Sequence, residues 1–167
     1  FLMTVKPYAE NLSPCRLTVY PHPYANSFGR IKSLAYLDRL RIADYALKQG
    51  FDDAVVQDHE GLILETSIAN LFWKAGQEVY FPDSTLPLYQ GITLQILLEI
   101  MGKMGLKTLP VKARIADISE GSQIFLCNSL KGIVPITSIE SREFKRDLAF
   151  ESNLRDSLQV QSRLFQN

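Results

Sequence analysis

The segment GLILETSIANLFW, residues 61–73, indicates the fold most clearly. It holds two short apolar runs with a polar break between them. The first covers residues 62–66, and the second covers residues 70–74, one residue beyond the quoted segment. Such runs bounded by turn-forming residues are typical of strands. Further runs over residues 54–57 and 79–81 extend the pattern in both directions. The segment therefore predicts a β-meander over residues 54–81.

Helical periodicity flanks this meander. Residues 33–49 are predicted to form a helix that starts beside Lys32 and ends before Gly50, a suitable C-terminal glycine. Its apolar face is predicted from residues at helical spacing, namely Tyr36, Leu37, Leu40, Ala43 and Leu47. Further helices are predicted over 92–104 and 151–165, with a short helical turn near Asp117. Strands are predicted over 2–5, 17–20, 107–111, 123–127 and 133–139. The mixture predicts one α/β domain whose strands wrap around a core.

Composition narrows the classes of function. The 167 residues are 46% hydrophobic and 22% charged, with 18 basic and 18 acidic side chains. This balance argues against a surface for nucleic acid or membrane. Cys15 and Cys127 lack metal-ligand spacing and favour a reducing, cytoplasmic setting. His22 and His59 lie in predicted turns and are expected at the surface, so no metal site is predicted. The start at Phe1, without a methionine, suggests a fragment.

Two charged residues stand at unusual places. Lys32 lies where a helix is predicted to begin; most lysines are solvated surface charges, but an amine in an apolar frame suits imine chemistry. Glu65 closes an apolar strand, where a buried carboxylate is costly without a partner. Glu65 either pairs at the surface or lies beneath a cationic ring nitrogen.

Two polar turns could hold a phosphate. Gln90-Gly91-Ile92-Thr93 begins a predicted helix, where free backbone N–H groups and the helix dipole favour an anion. Asn128-Ser129 follows a buried strand and could add a hydroxyl and an amide to the same site. An ordinary helix start and an ordinary turn explain each of them equally well. The sequence shows no nucleophile elbow, Walker loop or GxGxxG motif.

In order and spacing, these stretches resemble the class IV aminotransferase family, the fold type IV enzymes of pyridoxal phosphate (PLP). The family pattern is a lysine before a helix, then E-x-S-x-x-N-x-F, then G-I-T, then a polar turn before a hydrophobic-proline segment. The chain carries these in residues 31–37, 65–72, 91–93 and 128–136. The resemblance extends from about Lys32 to Ile139. It implies the family's C-terminal domain, a wrapped mixed sheet with a barrel-like core and flanking helices.

The resemblance also implies roles for individual residues. Lys32 would form the Schiff base with PLP and then act as general base and acid. Glu65 would contact the pyridine nitrogen and keep it protonated.

Other residues would complete the cofactor site. The backbone amides of Ile92 and Thr93, with the Thr93 and Ser129 hydroxyls, would hold the phosphate. Ile68 would also contact the cofactor, and Tyr36 would lie near its ring oxygen. Many family members have arginine where this chain has Leu94, which weakens the electrostatics of the helix end but leaves the backbone amides.

The family arrangement implies further parts of the protein. Residues 1–27 are expected to be the tail of an N-terminal domain and a linker, and residues 28–167 the PLP-binding domain. That N-terminal domain would supply another phosphate ligand, often arginine. A homodimer with each active site near the interface is expected, and the uncharged residues Ile63, Leu64, Leu71 and Phe72 are compatible with such an interface.

The residues within and around these motifs favour one reaction within the family. Residues 69–73, 79–82, 126–130 and 134–136 resemble 4-amino-4-deoxychorismate lyase, which would release 4-aminobenzoate and pyruvate for folate synthesis. Aminotransferases more often have a small-residue S-G-T turn where this chain has Cys127-Asn128-Ser129. The alternative is a PLP-dependent aminotransferase of branched-chain or D-amino acids. A third hypothesis is a non-catalytic domain that kept the fold, in which PLP would bind weakly.

Overall fold

The computed structural model describes residues 13–24, 31–32, 34 and 36–164, with side chains described as far as residue 161. The elements in chain order are β1 (Cys15–Val19), α1 (Leu37–Lys48), β2 (Asp53–Gln57), β3 (Ile63–Thr66), β4 (Asn70–Ala75), β5 (Glu78–Pro82), α2 (Ile92–Lys103), β6 (Lys107–Val111), a 3-10 turn (Ile115–Asp117), β7 (Gln123–Asn128), β8 (Gly132–Ile139), β9 (Arg142–Glu143) and α3 (Leu148–Leu164). The predicted strand over residues 2–5 lies outside the described residues. Every other predicted strand is present, with ends that differ by at most two residues. The predicted continuous meander is wrong, because β2 pairs with β3 and β4 pairs with β5, but β3 and β4 are not neighbours in the sheet.

One mixed sheet forms the centre of the molecule. Its strand order is β3-β2-β1-β8-β7-β4-β5-β6, and β9 pairs with β8. β1 is parallel to both of its neighbours, β2 and β8, whereas β4, β7 and β8 pair antiparallel. The backbone N–H of Ile63 in β3 donates to the carbonyl oxygen of Ala113, just beyond β6, at 2.8 Å. The two edges of the sheet thus approach each other, and the predicted barrel-like core with flanking helices is confirmed.

Side chains alternate between the inside and the outside of this curled sheet. On β4, Leu71 and Trp73 belong to the inner apolar cluster, whereas Phe72 belongs to the cluster beneath α2 and α3. This alternation is the period of two that a strand imposes. Phe72 stacks on Phe125 of the neighbouring β7, with ring centroids 5.1 Å apart. Burying a side chain of this size stabilises the fold by about 1.5–3 kcal/mol.

The helix α1 differs from its prediction in both start and orientation. It begins at Leu37, four residues later than predicted, so Lys32 lies five residues before the first helical residue. Its buried residues are Ile42 and Ala46, which pack against the outer face of β2 and β3. The predicted apolar face is wrong, since Leu37 and Leu40 are 71% and 62% exposed. The helix has apolar residues on two sides, and only one side meets the sheet.

Two further expectations change in the structure. Ile63, Leu64, Leu71 and Phe72 are at most 2% exposed and form the chain's own core, so they offer no surface to a partner. The helix α3 begins at Leu148, three residues before its prediction. It does so because the Asp147 carboxylate accepts the Phe150 backbone N–H at 3.0 Å, as an N-cap does.

Gly50 ends α1 as predicted. It adopts a φ of +79°, and its N–H donates to the carbonyl oxygen of Leu47 at 3.0 Å.

The boundary after residue 27 stays a prediction, although β1 lies before it and is an inner strand of the sheet. Within the described ranges, no helix is both long and apolar enough to cross a membrane.

Candidate active site

A cavity of about 160 Å³ opens where the ends of β3 and β7 meet the start of β4 and α2. All seven residues that the sequence placed in the cofactor site line it: Lys32, Tyr36, Glu65, Ile68, Ile92, Thr93 and Ser129. They come from four segments that are far apart in the sequence. The wrapped sheet brings these segments together, because β4 pairs with β7 and the turn after β3 leads directly into β4.

Glu65 is the acidic residue of the cavity. Its side chain is 4% exposed, and its Oε1 lies 2.6 Å from Nη2 of Arg39. Burial raises the pKa of the Glu65 carboxyl, whereas the charge and hydrogen bond of Arg39 and a hydrogen bond from the Tyr89 backbone lower it. Burial is the largest of these effects, so the pKa lies above its usual value. Pairing of Glu65 at the protein surface, one of its two predicted arrangements, is therefore excluded, because its partner Arg39 also lines the cavity.

Arg39 is the functional residue that the sequence did not reveal. It is not part of the predicted apolar face of α1, yet its side chain lines the cavity. Its Nη1 donates to the carbonyl oxygens of Thr66 and Ser67 at 3.0 and 3.3 Å. Burial lowers the pKa of Arg39, but the charge and hydrogen bond of Glu65 outweigh this effect and raise it. The two residues are 26 positions apart, and no spacing rule connects them.

The N-terminus of α2 forms the opposite wall. Gly91 is its N-cap residue, and no side chain in the described part of the protein caps the first turn. Asn70 fixes the loop that precedes it: the Gly91 N–H donates to Asn70 Oδ1 at 2.8 Å, and Asn70 Nδ2 donates to the Tyr89 carbonyl at 2.6 Å. The next amides, of Ile92 and Thr93, lie in the first turn, where an anion is favoured.

Gly91 has a steric reason to be glycine. A Cβ built at this position would lie 2.8 Å from Asn70 Oδ1, closer than side chains tolerate. The φ of Gly91 is −71°, so its backbone conformation alone would accept other residues. The close approach of the Asn70 side chain to the Gly91 backbone therefore favours a residue without a side chain.

The turn after β7 lies beside this helix start. Asn128 Oδ1 accepts the backbone N–H groups of Leu130 and Lys131 at 3.0 and 2.7 Å, which shapes the turn around Ser129. Asn128 Nδ2 donates to the Ile68 carbonyl at 3.2 Å and ties this turn to the turn between β3 and β4. Ser129 is exposed and lines the cavity, as the sequence predicted for a hydroxyl near the phosphate.

Lys32 and Tyr36 form the outer wall. Lys32 is exposed on the stretch before α1, and Tyr36 is 44% exposed directly before the first helical residue. Both side chains line the cavity that also contains Glu65. Cys127 contributes to the floor, and burial raises the pKa of its thiol, which therefore stays neutral at physiological pH.

The residues of this cavity fit PLP chemically. An amine suits the cofactor aldehyde, a buried carboxylate suits its ring nitrogen, and an uncapped helix start suits its phosphate. The cavity contains one of each, in Lys32, Glu65 and the first turn of α2. No three His, Cys, Asp or Glu side chains cluster as a metal site in the ranges that the structure covers.

Two curated relatives represent two reactions. The aminodeoxychorismate lyase of Vibrio harveyi is 30% identical over 97 residues, which are 58% of this chain and 36% of that protein. A probable branched-chain-amino-acid aminotransferase of Synechocystis is 24% identical over 147 residues, which are 86% of this chain and 48% of that protein. The chain thus spans at most about half the length of these two relatives.

A solved structure and a family model complete the comparison. The structure of a putative 4-amino-4-deoxychorismate lyase from Legionella pneumophila superposes with a TM-score of 0.85 at 26% identity, and covers 92% of this chain and 58% of that protein. The family model of amino-transferase class IV matches residues 1–139 of the 167. The chain therefore belongs to the class IV aminotransferase family.

Proposed function

We propose that the whole protein is a PLP-dependent enzyme in which Lys32 holds the cofactor. One observation carries this proposal: three distant segments place an amine, a buried acid and an uncapped helix start in one cavity. Each feature alone is common in proteins without a cofactor. Their convergence also argues against the non-catalytic alternative, because a site that no longer functions would be free to lose at least one of them.

We further propose that the reaction is the conversion of 4-amino-4-deoxychorismate to 4-aminobenzoate and pyruvate, a step of folate synthesis. Bound PLP withdraws electrons from the substrate carbon that carries the amino group. The Lys32 amine removes the proton from this ring carbon. The bond from the neighbouring ring carbon to the enolpyruvyl oxygen then breaks, and the departing group gains a proton from Lys32. Atoms and electrons balance without an oxidant, reductant or second substrate.

The other cavity residues hold the reacting groups in place. Glu65 accepts a hydrogen bond from the ring nitrogen and keeps that nitrogen protonated. The amides of Ile92 and Thr93, with the Thr93 and Ser129 hydroxyls, bind the phosphate. Ile68 and Tyr36 would also contact the cofactor, with Tyr36 near its ring oxygen. These roles agree with the positions of the side chains around the cavity.

An aminotransferase of branched-chain or D-amino acids is the second candidate. It is favoured by the Synechocystis relative, whose similarity extends over 86% of the chain. The lyase is favoured by the Vibrio relative at 30% identity and by the Legionella structure. Both reactions need the same proton removal by Lys32, and they diverge in where the proton is returned.

Beyond the cavity, we propose a cytoplasmic homodimer that binds small amino substrates. In this proposal residues 28–167 form the PLP-binding domain, and residues 1–27 belong to the tail of an N-terminal domain and its linker. The support is the family membership together with the exposed apolar side chains that line the cavity, Ile31, Ile68 and Ile92. Sedimentation of the whole protein tests the dimer.

Borohydride reduction tests the cofactor assignment. PLP is added to the whole protein, the visible absorbance is recorded, and the reduced protein is mapped by mass spectrometry. We expect the label on Lys32 and its loss in Lys32→Ala. Lys131→Ala is the matched control, because Lys131 lines a neighbouring cavity and should leave the label in place. No visible band, or a label on another lysine, contradicts the proposal.

Product analysis separates the two reactions. A lyase releases pyruvate from 4-amino-4-deoxychorismate when no keto acid is present. An aminotransferase converts the bound cofactor to its amine form on addition of glutamate, leucine or D-alanine alone. Pyruvate release that requires a keto acid would rule out the lyase.

A further inference from the structure

Arg39 joins three parts of the candidate active site. Its Nη2 lies 2.6 Å from Glu65 Oε1, and its Nη1 donates to the carbonyl oxygens of Thr66 and Ser67. Arg39 belongs to α1, whereas its three partners belong to β3 and the turn that follows. The guanidinium thus fixes the carboxylate and the adjoining backbone as one unit, because its planar set of N–H donors reaches all three acceptors.

Glu65 keeps acceptor capacity after it binds Arg39. A carboxylate has two oxygens with about four lone-pair sites, so two donors do not saturate it. The donors that the structure gives it are Arg39 Nη2, on Oε1, and the Tyr89 backbone. Among the described residues that line the cavity, Glu65 has the only carboxylate. A ring N–H entering the cavity would therefore meet a carboxylate that a cation already holds.

We propose that Arg39 is a positioning residue that favours the ionised form of Glu65 and lowers the proton affinity of the pair formed by Glu65 and the ring nitrogen of the bound cofactor. The part that concerns the ring nitrogen rests on the proposed PLP function. The part that concerns Glu65 alone rests only on the geometry of the two side chains.

The sign of the effect follows from charge. A cation beside a carboxylate favours its ionised form and lowers its pKa by about 1–3 units at such distances. The same cation disfavours a second positive charge on a ring nitrogen that shares the carboxylate. Removing the Arg39 charge therefore raises the pH at which the shared proton is lost. Burial acts in the opposite direction on Glu65, so without Arg39 a neutral Glu65 would gain population.

Other charged groups face the same cavity. The titratable side chains that line it besides this pair are Tyr24, Lys32, Tyr36, Tyr89 and Cys127. The guanidinium also lies 5.7 Å from the ring centroid of Tyr24. Because these groups are identical in every Arg39 variant, a comparison between variants isolates the Arg39 charge.

The first experiment measures the ring nitrogen directly. PLP labelled with ¹⁵N at the ring is bound to the whole protein, and its NMR chemical shift is followed against pH. Arg39→Gln retains a donor without the charge, and we expect its midpoint to rise by about one pH unit or more. Arg39→Lys keeps the charge and should stay near the wild type. Arg41→Gln, an exposed neighbour on α1, is the control and should not shift.

The second experiment needs no cofactor. The whole protein labelled with ¹³C at glutamate carboxyls is titrated without PLP, and the Glu65 signal is assigned by its loss in Glu65→Gln. Its midpoint should rise in Arg39→Gln and change less in Arg39→Lys. Circular dichroism establishes that each variant is folded. If Arg39→Gln does not fold, Arg39→Met takes its place as the neutral variant, and its midpoint should rise in the same way.

Two outcomes overturn the inference. Unchanged midpoints in Arg39→Gln, or equal shifts in Arg39→Gln and Arg39→Lys, would show that the Arg39 charge does not control the pair. A wild-type protein that fails to bind labelled PLP overturns the proposed function and the ring-nitrogen part of the inference with it. The cofactor-free titration still decides the effect of Arg39 on Glu65, so the two failures are distinguishable.

Discussion

Glu65 and Glu151 are both buried acids that pair with an arginine. They differ in whether the carboxylate can still accept a hydrogen bond from a ligand. Glu151 in α3 has both oxygens bound by Arg146, at 2.9 and 2.6 Å, and lies 3.9 Å from Arg155 as well. Glu65 has Oε1 bound by Arg39 and lies in the wall of the cavity. The first carboxylate is enclosed by the protein on both oxygens, whereas the second faces a space that a ligand can enter.

This difference distinguishes a structural acid from a candidate catalytic one. Arg155 also contacts the Ile133 carbonyl in β8, at 3.4 Å, so the ion pairs of Glu151 attach α3 to the sheet. The pair of Glu65 and Arg39 attaches α1 to the turn after β3 and keeps one acceptor side for a ligand. Replacing Glu65 should therefore change chemistry, and replacing Glu151 should change stability.

The largest expected effect concerns catalysis and the Glu65 carboxylate. In Glu65→Gln the ring nitrogen loses its charged partner, and we expect kcat/KM to fall by roughly 100-fold, as for the loss of one preorganised electrostatic contact. Steady-state kinetics of the whole enzyme with saturating PLP measure this loss. Circular dichroism should show a folded protein. Activity within a few-fold of the wild type would show that Glu65 has no catalytic role that Glu151 lacks.

The next effect concerns the structural side. In Glu151→Gln, Arg146 and Arg155 lose a buried charged partner. Because removing one member of a buried pair leaves the other charge without its partner, we expect the free energy of unfolding to fall by about 2–3 kcal/mol. Denaturant unfolding measures this change, and kcat/KM of the folded fraction should be unaltered. Glu120→Gln, at an exposed position, is the control and should change stability by less than about 0.5 kcal/mol.

Local patterns predicted most of the fold, and the resemblance to the class IV family indicated the seven cavity residues. Strand alternation and the glycine after α1 depend on neighbouring residues, which a sequence displays directly. The α1 face could not be predicted, because Leu37, Leu40, Ile42 and Ala46 offer two apolar sides and only the sheet decides between them. Arg39 was missed because its contact with Glu65 exists only after β2 and β3 pair.

A third prediction concerns the phosphate wall. In Gly91→Ala the new Cβ meets Asn70 Oδ1 at 2.8 Å, so the loop must shift and the first-turn amides of α2 move with it. We expect the affinity for PLP to fall about tenfold, which equals about 1.4 kcal/mol. Equilibrium titration with PLP measures the loss. The change concerns the proposed phosphate end of the site rather than Glu65, the proposed partner of the ring nitrogen, so it tests whether the cavity binds both ends of the cofactor.

Gly102→Ala is the matched control for that change. Gly102 lies near the end of α2 with open space around its Cβ position, so alanine fits without a clash. It should leave PLP affinity unchanged and raise stability by up to about 1 kcal/mol through helix propensity. Equal losses of affinity in the two variants would show that α2 is sensitive to any substitution, and that the Asn70 contact has no special part.

The smallest expected effect is a pH trend that separates the wild type from Glu65→Gln in the PLP-free protein. The Glu65 pKa is raised in the folded state, with burial as the main cause. The folded protein therefore keeps this proton at a pH where the unfolded chain, with a glutamate pKa of about 4.3, has lost it. The stability that Glu65 contributes is present below that value and is lost as the pH rises through its raised pKa. The unfolding free energy of the wild type should thus fall relative to Glu65→Gln from pH 4 upward. A relative rise would mean that Arg39 outweighs burial, and that Glu65 is as firmly ionised as a structural ion pair requires.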